Sequence, residues 1–288
     1  MLNTNPFTDL FTYLPPIAMQ IFVIAMIVLV VAGTLIDVLH KKSAKYFFES
    51  AKRAEKNRKR EVGAGEKIGL ATATVASEVL TSSEFCNQKR RLSHLLTMYG
   101  TIIFIVSTAV LVFAYPEAPK TWPLLWHIGA FMVMIGGYWF WFSIRVDVSA
   151  EGIKWYQLRQ ADMFILSLLA TTTFAIIWSW VQSSYGTGLA SKVLFALFIL
   201  SVVILFGGIP WSKFAHMFFK PAAAFQKRVF KADGSREDLP ADYDPADPEV
   251  QARFPDIPEY MGKNPPNMGL GIKREPPKHY RCAPAVEK

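Results

Sequence analysis

Residues 17–39 read IAMQIFVIAMIVLVVAGTLIDVL. No charge interrupts this run before Asp37. At about 1.5 Å per residue, a helix of this length crosses the roughly 30 Å hydrocarbon core of a bilayer. Four further apolar blocks of similar length follow, at about residues 95–115, 124–144, 163–181 and 193–211. A backbone inside lipid has to satisfy its own hydrogen bonds, and a helix does so within one segment. The expected fold class is therefore all-α: an integral membrane bundle of five transmembrane helices with an extended C-terminal tail. The first block is not expected to be a cleaved signal. No basic segment precedes it, it is longer than a signal's apolar stretch, and no small-x-small cleavage site follows.

Working outward, the 288 residues are 52% hydrophobic and only 19% charged, against about a quarter charged in an average globular chain. That excludes an ordinary soluble enzyme. The formal charge is +8. A basic balance can signal nucleic acid, but here Lys and Arg flank the apolar blocks, so no nucleic-acid partner is expected. The segments that alternate across the bilayer hold 21 Lys and Arg on one side and 2 on the other. Positive-inside logic places the N-terminus outside and the C-terminus in the cytoplasm. The expected organisation is an outer segment at 1–16, a membrane domain at 17–231 with a basic insertion at 41–91, and a Pro-rich cytoplasmic tail at 232–288.

The insertion begins KKSAKYFFESAKRAEKNRKR at residues 41–60, which reads as an amphipathic helix lying along the anionic leaflet. Residues 62–83 are neutral and rich in small side chains, compatible with a short helix or a loop. The tail holds 10 of the 18 prolines and is net acidic. It shows no helical or strand period and cannot bury enough apolar surface to fold alone. Two readings stay open: a disordered tail, or an arm that wraps a soluble partner through anchors such as Tyr243, Phe254, Ile257 and Tyr260. The two cysteines, Cys86 and Cys282, are too far apart in sequence to suggest a disulfide framework.

No phosphate loop, dinucleotide fingerprint, zinc motif or nucleophile elbow is present. Chemistry would have to reside in polar groups near the spans, where each is costly. Trp122, Trp126, Trp178, Trp180 and Trp211 fall near span ends and read mainly as an interfacial belt. Gly129, Gly136 and Gly137, with Gly207 and Gly208, allow either close helix approach or room for a flat macrocycle. His40, His94 and His216 fall at the cytoplasmic span ends. His94 and His216 meet the depth condition for two imidazoles across a bundle gripping a b-type haem, with His40 a weaker third candidate. Lys89, Arg90, Arg91 and Lys213 are candidates to pair with the propionates. The competing reading is that these histidines face water or headgroups. His127, near the outer face, reads as a quinone contact or a lone structural residue. Asp37 and Asp162 read as helix caps or as partners of Lys41 and Arg159.

Three segments carry a resemblance: RRLSHLLTMYGTIIFIVSTAVL at 90–111, QLRQADMFILSLLATTTFAI at 157–176, and above all IPWSKFAHMFFKPAAAF at 209–225. Together with the five spans they resemble the nitrate reductase gamma-like membrane cytochromes. Within that group the layout is nearest the cytochrome b subunits of quinone-interacting and heterodisulfide-reductase-like complexes of sulfur metabolism, and the membrane anchor associated with adenylylsulfate reductase. The resemblance covers about residues 90–225. It implies that His94 and His216 are the two ligands of a haem iron. Family members often hold a second haem nearer the outer face. Here Phe104 and Ile105 stand deeper along span two and span five has no histidine above His216, so one haem is expected. The cysteine-rich iron–sulfur domain of the larger relatives is missing from this sequence, so electrons are expected from a separate flavoprotein or iron–sulfur protein.

The leading expectation is a non-catalytic membrane anchor and electron-transfer subunit. It would link a soluble cytoplasmic sulfur-metabolism oxidoreductase, such as adenylylsulfate reductase, to quinone through one haem b. The quinone pocket is expected either near His127 and Trp126 or beside the haem near Asp162. The rivals are a haem-free structural anchor and, last, a small transporter, which would need polar groups at mid-bilayer or an internal repeat.

Overall fold

The structure, a computed structural model, describes residues 2–39, 45–83, 85, 87–148, 151–212, 216–239 and 245–261. The described residues form helices and turns without strands. The chain divides into two compact units. One comprises Met1–Tyr46 and Asn87–Ala222, the other Phe47–Cys86 and Ala223–Lys288.

The first unit is the membrane bundle. A one-turn helix α1 (Phe7–Leu10) precedes α2 (Pro16–Leu39). The other crossings are α5 (Gln88–Phe113), α6 (Thr121–Trp139), α7 (Met163–Tyr185) and α8 (Leu189–Gly207). All five long helices are apolar enough to span a bilayer, so the chain is a multi-pass membrane protein. Its distribution of residue types agrees. On α2, Ile17, Ile21, Ile24, Val28, Val31 and Leu35 point outward at helical spacing, while Met19, Met26 and Gly33 face the bundle. The interior instead holds Ser93, Ser107, Thr171, Thr172, Ser179 and Ser201. Surrounded by lipid tails, a bundle gains little by hiding leucine and more from close packing and internal hydrogen bonds. Many hydroxyls satisfy themselves on their own helix, as Thr97 does at Ser93 O (2.9 Å) and Thr172 at Leu168 O (3.2 Å).

Crossing two starts earlier than its hydropathy suggests. Asn87 caps α5 by accepting from the backbone N–H groups of Lys89 and Arg90. The three basic residues that follow are thus helical, and His94 lies nearly two turns inside α5 rather than opening it.

The α5–α6 contact is the tightest. A Cβ placed on Gly100 would meet Gly129 O at 2.8 Å, and one on Gly129 would meet Phe104 N at 2.7 Å. One on Gly136 would meet Ser93 O at 2.7 Å. Between the two readings of these glycines, the geometry decides for close approach: opposing backbone fills the space at Gly129 and Gly136. Ser93 donates to Gly136 O across the seam at 2.8 Å.

In the second unit, α3 (Lys45–Asn57) continues the amphipathic pattern expected of it, turning Ser50 and Ala54 inward. Residues 62–83 are mainly helical: α4 (Ala64–Thr74) runs directly into a π-helical turn, Val75–Leu80. There Ser77 and Glu78 accept from Arg228 of α9 (His216–Ala232) at 2.6 and 3.0 Å. Arg53 bridges Glu237 at 2.5 Å and Asp238 at 3.0 Å. These two acidic residues belong to the segment read from sequence as a disordered tail or a partner-wrapping arm, and they pair with the basic helix of their own chain. Arg60 grips Glu66 with two hydrogen bonds, at 2.9 and 2.5 Å. Those bonds hold the Glu66 carboxyl below the ordinary carboxylate range. In the tail, Pro248–Arg253 and Asp256–Met261 form α10 and α11, each six residues long. Helices that short display no readable period. Asp247 starts the first by accepting from Glu249 N at 2.9 Å.

Candidate functional site

The bundle has two chemically distinct ends. The end that carries the N-terminal segment is closed by it. Phe7 and Leu10 are fully buried. Phe7 lies edge-on to Trp126 at 6.1 Å and against Trp178 at 5.6 Å between ring centroids. Gln182 donates to Pro6 O at 2.6 Å, and Asn5 donates to Leu111 O at 3.4 Å. The segment is thereby pinned to both α7 and α5. Trp126 and Trp178, read from sequence as belt residues, are instead core residues with no exposed surface. The Trp126 indole N–H, which needs a partner in so dry a place, donates to Thr108 Oγ1 at 2.9 Å. Trp180 and Trp211 are exposed, as a belt requires.

Beneath this plug lies His127, also fully buried. Its Nδ1 is 2.7 Å from Pro123 O and its Nε2 is 2.9 Å from Ser179 Oγ. A carbonyl only accepts, so Nδ1 carries a hydrogen, and in the neutral ring Nε2 accepts a hydrogen bond from the serine hydroxyl. Ser179 and Gln182 line a polar cleft of about 390 Å³ together with Asn5, Thr8, Asp9 and Ser183. A ligand entering it meets Ser179 before the imidazole. Ser179→Ala would leave Nε2 buried without its hydroxyl, at a cost of about 1–3 kcal/mol. A thermal melt of the purified protein in detergent checks this, and an unchanged midpoint would show the hydrogen bond to be dispensable. Sequence reading missed Ser179, Gln182 and the plug. The available signal was Gln182, the one side-chain amide of α7, three residues after Ser179 and so on the same helix face.

The opposite end is the basic one. Here α5 begins, α8 finishes, and a 3₁₀ turn, Ile209–Trp211, leads toward α9. Ile209 seats against Gly33 near the end of α2. His94 is half-buried on α5 and His216 is the first residue of α9. Chain order therefore brings both to one end. The side chain of His216 lies outside the described part, as do His40, Lys213, Lys41, His279 and both cysteines. Arg90, one of the candidate propionate partners, donates to Glu151 at 3.1 Å.

The same end holds an ion pair that sequence reading did not single out. Arg145 has no exposed surface. A π-helical turn, Phe140–Ile144, ends α6 and delivers it inward. Its guanidinium donates to Asp162 at 2.5 Å, to Lys154 O at 2.9 Å and to Gln157 O at 2.6 Å, and stacks 4.1 Å over the Trp141 ring. Asp162 was read as a cap of α7 or as a charge partner. Its carboxylate makes no N-cap bond to α7 itself; it accepts from the Arg159 backbone N–H at 2.8 Å, as the third residue of a capping box on the turn Gln160–Asp162 that leads into α7, and it pairs with Arg145. A buried guanidinium needs an anion beside it.

No protein-family model, curated protein or solved structure matches the chain. The functional reading accordingly stands on its own residues. Among the described residues, no group of three or more His, Cys, Asp and Glu could hold a metal ion.

Proposed function

We propose that this protein is the membrane anchor and electron-transfer subunit of a quinone-linked oxidoreductase. In this reading it sits in the inner membrane of a prokaryote with its basic end in the cytoplasm. There it holds a soluble flavoprotein or iron–sulfur enzyme of sulfur metabolism, with adenylylsulfate reductase the partner indicated by the resemblance. What supports the proposal is that chain order puts His94 on α5 and His216 at the start of α9 at one, basic end of a five-helix bundle. Two imidazoles are a donor set suited to a single b-type haem. When bound, a haem supplies one-electron chemistry between the enzyme and quinone. The chain's own part is to supply the two ring nitrogens and hold one of them steady. Ser93, beside His94, is fastened to α6 through Gly136 O. Lys89 and Arg91 provide positive charge at the same rim. At the other end, this reading places the quinone in the polar cleft lined by Ser179, whose hydroxyl is held by His127.

The rival reading is an anchor without haem. The half of the bundle nearer the N-terminal plug is filled with Phe104, Trp126, Trp178 and Phe198, whose rings pack at 5.1–6.5 Å between centroids. The α5–α6 seam is closed by backbone. Any macrocycle is thus confined to the basic end. An absorption spectrum of the purified, dithionite-reduced protein separates the two readings. A b-type α-band that disappears in both His94→Ala and His216→Ala supports the relay. A colourless protein that still retains its soluble partner overturns it and leaves the passive anchor.

A further inference from the structure

The segment joining α6 to α7 ends in a tight turn with an unusual tip. Gln157 N–H donates to Lys154 O at 3.0 Å, so Trp155 and Tyr156 occupy the two central positions. Turn tips in water normally carry Gly, Asn, Asp or Ser. Here Trp155 is 56% exposed, Tyr156 57% and the following Leu158 68%. The turn is built to hold them out. The buried Arg145 donates to the carbonyls of Lys154 and Gln157, the two residues that bracket the tip. The Trp155 ring lies 6.3 Å from that of Phe142 and 5.6 Å from that of Tyr156. Phe142 is itself exposed on the third membrane span, stacked on Tyr138 at 6.2 Å. The apolar tip therefore continues the surface that the bundle presents to lipid. Lys154 places its ammonium over the Tyr156 ring at 5.8 Å, and Arg159 follows.

We propose that residues 154–158 form an interfacial anchor, with Trp155, Tyr156 and Leu158 seated in the headgroup region of the leaflet at the basic end. Aromatic side chains with a polar edge prefer that layer, and the adjoining cations suit anionic headgroups. The occupant is lipid rather than a soluble protein because Trp155 rests on a ring that already faces the acyl chains. Arg145 and Asp162 then serve as the internal post that sets the depth of the turn. The inference is independent of haem and of the partner enzyme.

The test uses the full chain in nanodiscs of zwitterionic and anionic phospholipid, comparing wild type with Trp155→Phe. The fluorescence difference isolates Trp155. With phosphatidylcholine brominated near the carbonyl end of its acyl chains, that component should fall, and aqueous iodide should quench it less. Stronger quenching by iodide overturns the proposal, since the turn then stands in water. Quenching by neither also overturns it, since protein then covers the turn, whether a second copy or a soluble partner. The conservative Phe substitution preserves the ring contact, so the fold survives the measurement.

Discussion

Asp162→Asn should lower the melting temperature of the purified protein by on the order of 10 °C, an effect of about 3–5 kcal/mol. The reason is what it leaves behind. Arg145 is wholly buried and cannot shed its proton, and its Nε has no hydrogen-bond partner. Asp162 is the carboxylate that the structure gives it, at 2.5 Å. Removing that charge strands a cation between α6 and α7 and loosens the segment whose carbonyls it holds. Total stabilities run to only about 5–15 kcal/mol, so a large share would be lost. The double variant Arg145→Met with Asp162→Leu should recover part of it, because the unpaired charge is gone although the Lys154 and Gln157 carbonyls lose their donor. If Asp162→Asn melts with the wild type, the guanidinium has access to water and the burial argument fails.

Gly129→Val should prevent α5 and α6 from docking, at a cost of about 3 kcal/mol or more. Even a lone Cβ there comes to 2.7 Å of Phe104 N and 2.9 Å of Gly100 O. Both are backbone atoms within a helix, so no side chain can swing aside. Size-exclusion chromatography in mild detergent should show the variant mostly aggregated. Gly69→Ala on α4 is the contrasting control. Nothing lies within 4 Å of its Cβ position, so it should stabilise slightly, by about 0.5–1 kcal/mol, through helix propensity alone. A well-behaved Gly129→Val protein would mean that the seam is looser than drawn.

Both residues mark the boundary of what a single chain of letters reveals. Arg145 enters the charge census as one cation among those of the basic side, and its polarity there is correct. That it turns inward depends on a π-helical turn and on a carboxylate 17 residues away, neither of which leaves a local trace. Gly129 allowed two readings, and choosing between them required the neighbouring helix. Trp126 and Trp178 were read as belt residues near span ends, but the structure turns both rings into the bundle. Hydropathy reports depth well and facing poorly, because the interior of a membrane bundle is no more apolar than its exterior. Phe7 and Leu10 lie on a four-residue helix, too short to show periodicity, yet they close one end of the bundle.

By itself, the sequence determined the five crossings and which ends are basic, because each crossing must satisfy its own backbone within lipid and that demand is local. It also brought His94 and His216 to one side through the number of spans between them. Only the tertiary structure decided which polar groups meet: Arg145 with Asp162, His127 with Ser179, Gln182 with Pro6. These contacts join segments 17 to 176 residues apart in sequence, and their energy comes from removing lipid and water together from around paired polar atoms, which occurs only when the segments close on one another.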